Sequence, residues 1–373
     1  MITQVGLFGN TVVDVPKTEG IKYAGSKLKL IPSIIDVVQE LKVDHIFDGF
    51  SGTSRVSQAF AKIGYRVTSN DISDWSYVFG QCFLKSSKLK IKNYSEIIKH
   101  LNNCKPIENW FSSMYGGDSL SVEKRPFQAK NAQKAAAIRN EIDVMGLSND
   151  EKYMALTSLI LALDSVDSTL GHYVSYLAEW SPRSYNDMVL KIPSIVGKRE
   201  DEHQILKGDV FESITEKEFD LAYFDPPYGS NNEKMPSSRV RYASYYHIWT
   251  TLIRNDNPIV FGKVNRREDT RDLIAGSVFE EFRKNENGHY IAMCAIGDLL
   301  SKVNSKYILL SYSSGGRATK EELYEIINKS GRLLKAIEID YKKNVMGNMR
   351  WTNEWINSDG KYHEYLFLIQ KTA

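Results

Sequence analysis

The tetrapeptide Asp225-Pro226-Pro227-Tyr228 directly follows the apolar run Leu221-Ala222-Tyr223-Phe224. An aromatic exocyclic amine is a poor nucleophile because its lone pair is delocalised into the ring. A site that activates it needs two acceptors for its two N–H groups, so that the lone pair turns toward the electrophile. The Asp225 carboxylate and the Pro226 carbonyl can supply them, and prolines lock the turn so that little reorganisation accompanies the developing charge. The Tyr228 ring offers a face on which a planar base can stack. The same four residues also serve simply to end a strand, with Asp225 capping the turn.

A second group reads Asp48-Gly49-Phe50-Ser51-Gly52, with Asp71 further on at the end of the next expected strand. Glycines let backbone approach a ligand closely, and an acid at that offset reaches ribose hydroxyls. Any tight strand-to-helix turn uses glycine as well. The third glycine of the dinucleotide fingerprint is missing, so a nucleoside with a small charged tail suits the turn better than a pyrophosphate does.

These groups need a scaffold. Residues 27–41 carry apolar positions at helical spacing, and His45-Ile46-Phe47-Asp48 is a short apolar run ending in an acid. A glycine-rich turn follows, then a helix with Val56, Ala59, Phe60 and Ile63 on one face, then a strand over residues 65–70. The alternation resumes with strands expected at residues 220–224, 259–263 and 306–311. Such alternation implies a parallel sheet with ligands at the carboxyl ends of its strands. Between Asp71 and Gly208 it is interrupted by Lys- and Asn-rich text, by helices expected over residues 129–145 and 151–164, and by an aromatic segment over residues 172–185. The expected organisation is an α/β catalytic domain, residues 1–76 and 205–373, with a mostly helical lobe inserted at residues 77–204.

The chain has 373 residues, 42% of them hydrophobic and 25% charged, which are ordinary globular values. A net charge of +2 means that a polyanion must be held by a local basic face. Cys82, Cys104 and Cys294 are too scattered for a disulfide framework or a metal-ligand spacing, and the histidines form no cluster with them, so no metal is expected. No leader or membrane-spanning stretch is evident, and a cytoplasmic monomer is the expectation.

In order, Lys22-Tyr23-Ala24-Gly25-Ser26-Lys27, Asp48-Gly49-Phe50-Ser51-Gly52, Asp71, Gly208-Asp209-Val210-Phe211 and Asp225-Pro226-Pro227-Tyr228 resemble the motifs of the Dam-like adenine-specific DNA methyltransferases, the D12 class or alpha group. Tyr245 with His247 and Leu252, and the run through Ser314, extend the resemblance over residues 22 to about 314, apart from an unmatched middle. It implies a Rossmann-like sheet that binds S-adenosylmethionine and a target-recognition lobe between Asp71 and Gly208. Tyr23 and Lys27 would hold the methionine end of the cofactor, with Lys27 on its carboxylate. Asp48, Gly49 and Gly52 match the cofactor loop, Asp71 the ribose-binding acid and Asp209 the residue that meets the cofactor's adenine. Asp225, Pro226 and Tyr228 match the catalytic motif. Tyr23 stands where tryptophan is common, and Ser26 where glycine is. Taken from the residues alone, Lys27 could be a solvated helix-start residue and Asp209 a helix N-cap.

The resemblance also implies a flipped adenine in double-stranded DNA and a separately acting restriction endonuclease in a bacterial, archaeal or phage-infected cell. For DNA contacts the expected residues are Arg239 and Arg241 just beyond the catalytic loop, with Lys124, Arg125, Trp180 and Arg183. Lys130, Lys134, Lys263, Arg266, Arg267 and Arg271 form further basic groups, and residues 340–355 a basic, aromatic stretch. Three readings compete: methylation of cytosine N4, methylation of adenine in RNA, and a non-catalytic DNA-binding subunit. Aspartate at position 225 favours adenine, and Asp71, Asp209 and Asp225 together weigh against loss of catalysis.

Overall fold

A computed structural model describes residues 2–5, 12–118, 125–214, 217–228, 242–271, 276–341 and 362–371. β1 (Ile2–Val5) and β2 (Val12–Val15) form an antiparallel hairpin ahead of α1 (Ile31–Gln39). β3 (His45–Asp48), α2 (Arg55–Ile63) and β4 (Arg66–Asp71) follow as a strand–helix–strand unit whose two strands pair in parallel. α2 ends at Gly64, whose φ of 112° lets the chain turn back so that the Tyr65 N–H reaches the Phe60 carbonyl at 3.1 Å.

α3 (Asp74–Gly80), α4 (Ile91–Asn102), α5 (Trp110–Tyr115), the short parallel pair β5 (Gly116–Gly117) and β6 (Phe127–Gln128), α6 (Ala129–Val144) and α7 (Asn149–Ser165) fill the middle of the chain. A reciprocal Ser148–Glu151 box caps α7. Then come β7 (Gln204–Lys207), α8 (Val210–Ser213), β8 (Phe219–Phe224), α9 (Tyr242–Tyr245) and α10 (His247–Arg254). The hairpin β9 (Val260–Phe261) and β10 (Arg266–Arg267), α11 (Ile291–Lys302), β11 (Ser305–Ser313), α12 (Lys320–Ser330), β12 (Gly331–Tyr341) and β13 (Tyr362–Lys371) complete it.

Seven strands make one sheet in the order β12-β13-β11-β8-β3-β4-β7. Its centre, from β11 through β8, β3 and β4 to β7, is parallel, and β13 lies antiparallel between β11 and β12. Alternate residues of the central strands feed two apolar clusters. Ile46, Leu221, Tyr223 and Leu309 belong to one, and Phe47, Ala222, Phe224 and Leu310 to the other. The first cluster takes in α1 to α4, α6, α7 and α10, and the second α11 and α12. A sheet covered on both faces explains why β3 and β8 read as unbroken apolar runs.

Two expectations change. The run at residues 259–263 is not a sheet strand: Val260 and Phe261 pair antiparallel with Arg267 and Arg266 around a turn in which Gly262 and Asn265 take positive φ. The expected boundary between residues 76 and 77 falls inside α3, and Phe79, Leu101, Ile138 and Leu159 join Ile46 and Phe60 in one cluster. Helices from residues 77–204 thus share the sheet's core.

β4 follows β3 on one side, while β8 lies on the other. The chain therefore leaves the carboxyl ends of β3 and β8 in a crevice where the strand order changes direction, which is where open α/β sheets bind ligands.

Candidate active site

The turn after β3 carries Gly49, Phe50, Ser51 and Gly52 across that crevice. The Gly49 N–H donates to the Tyr223 carbonyl at 3.0 Å, which ties the turn to β8. A Cβ on Gly49 would lie 2.7 Å from the Phe224 ring, so only glycine fits. Gly52 takes a φ of 50°. Its N–H donates to Asp71 Oδ2 at 2.8 Å, and Ser73 donates to Asp71 Oδ1 from both its backbone (3.0 Å) and its hydroxyl (2.5 Å). Both lone pairs of Oδ1 are thus taken by Ser73, and Oδ2, with the Gly52 N–H on it, is the oxygen placed to meet a hydroxyl donor.

Asp48 is 1% exposed at the end of β3; its Oδ2 accepts from the Ser57 hydroxyl at 2.5 Å, and its Oδ1 is buried with no partner. Burial pushes its carboxyl up to about 7, the Ser57 hydrogen bond opposes this, and the charges of Asp225 and Asp71 add to it. An orphaned buried acceptor lining a cleft is what a charged or N–H-bearing ligand would satisfy. Tyr23, Lys27, Asp48, Gly52, Arg55 and Asp225 are among the residues around that cleft, which encloses about 330 Å³ open to solvent.

Tyr23 lines the cleft beside the glycine turn, where a Cβ on Gly52 would lie 3.3 Å from its ring, and it belongs to an aromatic group. It stacks on Tyr246 at 4.7 Å and on Tyr242 at 5.2 Å, with Trp75 edge-on at 5.5 Å. The Tyr246 hydroxyl accepts from the Ala24 N–H at 2.7 Å and fixes the segment leading to Lys27.

Lys27 is buried in a single turn of 3₁₀ helix before α1. Its Nζ lies 3.0 Å from Asp225 Oδ1 and 3.3 Å from Glu364 Oε2, donates to the Tyr228 hydroxyl at 3.0 Å, and sits 5.2 Å from the Tyr228 ring centroid. The lysine expected to meet a ligand carboxylate thus meets two carboxylates of the protein itself. Burial raises the Asp225 carboxyl to about 6, Lys27 pulls it down and Glu364 pushes it up. The Tyr228 phenol is raised, chiefly by burial, and its ring tilts against Tyr312 at 5.1 Å. Pro226, between them, is buried.

Asp209 follows β7, the edge strand beside β4. Its Oδ1 accepts the Phe211 N–H at 2.8 Å as the N-cap of α8, and the residue is exposed. Glu364, from the antiparallel strand β13, and the aromatic group of Trp75, Tyr242 and Tyr246 were missed in the sequence. A lone acid in the apolar text of residues 362–371 was the one available signal for the former.

The expected DNA contacts divide. Lys124, Arg239 and Arg241 lie outside the described residues, as do residues 342–355. Arg183 is engaged by the protein, its guanidinium donating to Asp167 Oδ1 at 2.7 Å and to the carbonyls of Asp167 and Thr169 at 2.8 and 2.6 Å. Arg267 is buried between Asp256 and Asp269, and Lys130 pairs with Asp187. Arg125 and Lys263 line a second groove with Tyr176 and Asn265. Trp180 is half-buried at Gly117 beside Arg125. Among the described residues no group of His, Cys, Asp and Glu could hold a metal ion, and no helix is long and apolar enough to cross a membrane.

Residues 23–273 match the model of the family described as D12 class N6 adenine-specific DNA methyltransferase. The chain is 27% identical over 366 residues to the modification methylase StsI of Streptococcus sanguinis, an alignment covering 94% of this chain and 52% of that protein. It is 27% identical over 372 residues to the type II methyltransferase M.FokI of Planomicrobium okeanokoites, covering 94% and 53%. Against the type II methyltransferase M2.HphI of Haemophilus parahaemolyticus the identity is 23% over 387 residues, covering 95% and 98%. The chain therefore spans about half the length of the first two.

Proposed function

The chain belongs to the D12 class of N6 adenine-specific DNA methyltransferases, and from that premise we propose that it transfers a methyl group from S-adenosylmethionine to N6 of an adenine flipped out of double-stranded DNA. The observation that carries the reading is the crevice itself. The glycine turn after β3, with its orphaned Asp48 oxygen, opens onto the same space as the Asp225 carboxylate after β8. One face suits a nucleoside with a charged tail, and the other suits an amine.

In this reading Asp225 and the Pro226 carbonyl accept the two N6 protons, which turns the amine's lone pair toward the methyl carbon. The bound cofactor supplies an electrophilic methyl on a sulfonium. Transfer would break the methyl–sulfur bond as the N–C bond forms, its electron pair staying on sulfur as the leaving thioether, and the Asp225 carboxylate would stabilise the positive charge on N6 and take its surplus proton on the way to water. Tyr228 stacks on the flipped base. Gly49 and Gly52 allow close backbone approach, Asp71 takes the ribose hydroxyls, and Tyr23 packs against the donor end. Asp209 has one carboxylate oxygen committed to its cap and the other available for the cofactor's base. Lys27 would hold a cofactor carboxylate only by loosening its hold on Asp225 or Glu364.

Duplex would lie along the groove of Arg125 and Lys263, with Trp180 at its margin, and Arg239 and Arg241 remain candidates beside the catalytic loop. The helices of residues 77–204 would then present the target-recognition surface. The names of the similar proteins, modification methylases and type II methyltransferases, support a modification role; a separately acting endonuclease and a cytoplasmic site of action are part of the proposal. The test is to express the chain and its Asp225→Ala variant in a host lacking adenine methylation and to sequence the DNA with detection of modified bases. N6-methyladenine at a fixed context with the wild type alone supports the reading. N4-methylcytosine, or no mark, would overturn it.

A further inference from the structure

Glu364 is 8% exposed in a strand whose next five residues, Tyr365 to Ile369, are all buried apolar or aromatic side chains. A carboxylate in such a row weakens packing unless it is paired and hydrogen-bonded. It is both: Oε2 lies 3.3 Å from Lys27 Nζ, and Oε1 accepts the Tyr228 hydroxyl at 3.3 Å. Its neighbour in the chain, His363, turns to the other side of the sheet toward Asp340 and Glu338. Lys27 is in turn shared between Glu364 and Asp225, so the buried cluster holds one ammonium against two carboxylates.

We propose that Glu364 is a positioning residue for methyl transfer: it anchors the hydroxyl of Tyr228 and shares the Lys27 ammonium that lies 3.0 Å from Asp225 Oδ1, so that Lys27 and the Tyr228 ring are held in place around the Asp225 carboxylate as it accepts amine protons. The proposal rests on the functional reading above. Without Glu364, Lys27 would be left to Asp225 alone and bind it more tightly, competing with the amine for that acceptor, while the Tyr228 hydroxyl would lose its carboxylate tether. The strand β13 thereby enters the site from the far end of the chain, though it touches no reacting atom.

The groups facing this cluster limit how its charge shows in pH dependence. Lys27 comes from the turn before α1, Asp225 and Tyr228 from the loop after β8, Tyr223 from β8 itself and Tyr242 from α9, with Asp48 and Asp71 across the cleft. The tyrosine phenols are all raised by burial and stay neutral in the working range. Glu364 pushes the Asp225 carboxyl up, so removing its charge must move the acid limb of activity to lower pH.

The experiment compares wild type, Glu364→Gln and Glu364→Asp as full chains, using unmethylated genomic DNA and S-adenosylmethionine carrying a labelled methyl. Glu364→Gln should melt close to wild type and bind the cofactor within about threefold by calorimetry, with kcat lowered by about tenfold or more and KM for DNA little changed. Its acid limb should shift to lower pH, as should the Asp225 midpoint followed by carbon-13 NMR of labelled aspartate. Glu364→Asp, which keeps the charge, should restore the wild-type limb and part of the rate. Wild-type kcat with an unmoved limb and midpoint in Glu364→Gln overturns the proposal, as does a rate loss matched by equal losses of melting temperature and cofactor binding. If Glu364→Gln does not fold, Glu364→Asp decides: a reduced kcat with the limb in place supports the role, and wild-type kcat sinks it. A wild type that puts no methyl on DNA would instead remove the functional reading on which the proposal stands.

Discussion

Asp225 is a carboxylate asked to be an acceptor in a place that disfavours its charge, and its neighbours decide which tendency wins. Burial lifts it to about 6 while Lys27, 3.0 Å away, holds it down. Only the ionised form offers both oxygens as acceptors, with no O–H donor, and a charge to oppose that forming on N6. Methyl transfer is therefore expected to fall as pH drops through about 6, in an initial-rate profile from pH 5 to 8 at saturating cofactor. A limb near 4 would place Asp225 in water-like surroundings. Tyr228 separates ring from hydroxyl in the same spirit. Loss of its stacking face should lower turnover by roughly 5- to 150-fold in Tyr228→Ala, the kinetic equivalent of about 1 to 3 kcal/mol per stacked base. Tyr228→Phe keeps the ring and loses the tether to Glu364, so a smaller loss is expected. Equal turnover of the two variants would leave Tyr228 as a turn residue.

At the scale of elements, the loop between β3 and α2 is where sequence and geometry agree most closely. Asp48, Gly49 and Gly52 were legible because a strand ending at the crevice can turn in so little space only with glycine. Gly52, with its φ of 50°, would strain any larger residue by about 1 to 2 kcal/mol. Its amide also holds Asp71. Gly52→Ala should accordingly weaken S-adenosylmethionine binding by about tenfold in a calorimetric titration, with a small drop in melting temperature. Unchanged affinity would mean that the turn does not touch the cofactor. β8 and β11 were legible too, since parallel strands buried on both faces leave apolar runs, whereas β4 buries Thr68, Ser69 and Asn70 and was legible from its place between α2 and Asp71. The run at 259–263 has that look without that burial: Ile259 is exposed, and Asn255 and Asn257 ahead of it take positive φ. Hydrophobicity over five residues cannot separate a hairpin edge from a central strand. Glu364 was illegible for a different reason, because its partners Lys27 and Tyr228 are 337 and 136 residues away.

Over the whole molecule the basic residues teach the same lesson. Arg183 and Arg267 look like phosphate ligands in sequence, yet their partners Asp167, Asp256 and Asp269 claim them, and composition gives no hint of it. The acids around the cleft are arranged the opposite way, with more carboxylates than cations to pair them. Asp48 is held at about 7 and Asp225 at about 6, each chiefly by desolvation. An unfolded aspartate titrates near about 3.9. Between that value and the folded one, the unfolded chain has released a proton that the folded chain retains, so stability falls as pH rises. For Asp48 the loss runs from about pH 4 to about pH 7 and then levels off. Surface carboxylates such as Asp44 and Glu151, lowered by hydrogen bonds to Arg199 and Ser148, work in the opposite sense, but they are common to wild type and variant and cancel in a difference. Asp48→Asn keeps an acceptor for the Ser57 hydroxyl and removes the ionisation. It should lie closest to wild type near pH 4 and exceed it in melting temperature by a margin that grows up to about pH 7 by differential scanning calorimetry, while binding S-adenosylmethionine more weakly. A constant offset across that range would show that Asp48 ionises as freely in the fold as in water, and the unpaired Oδ1 would then need a different explanation from a vacancy kept for the ligand.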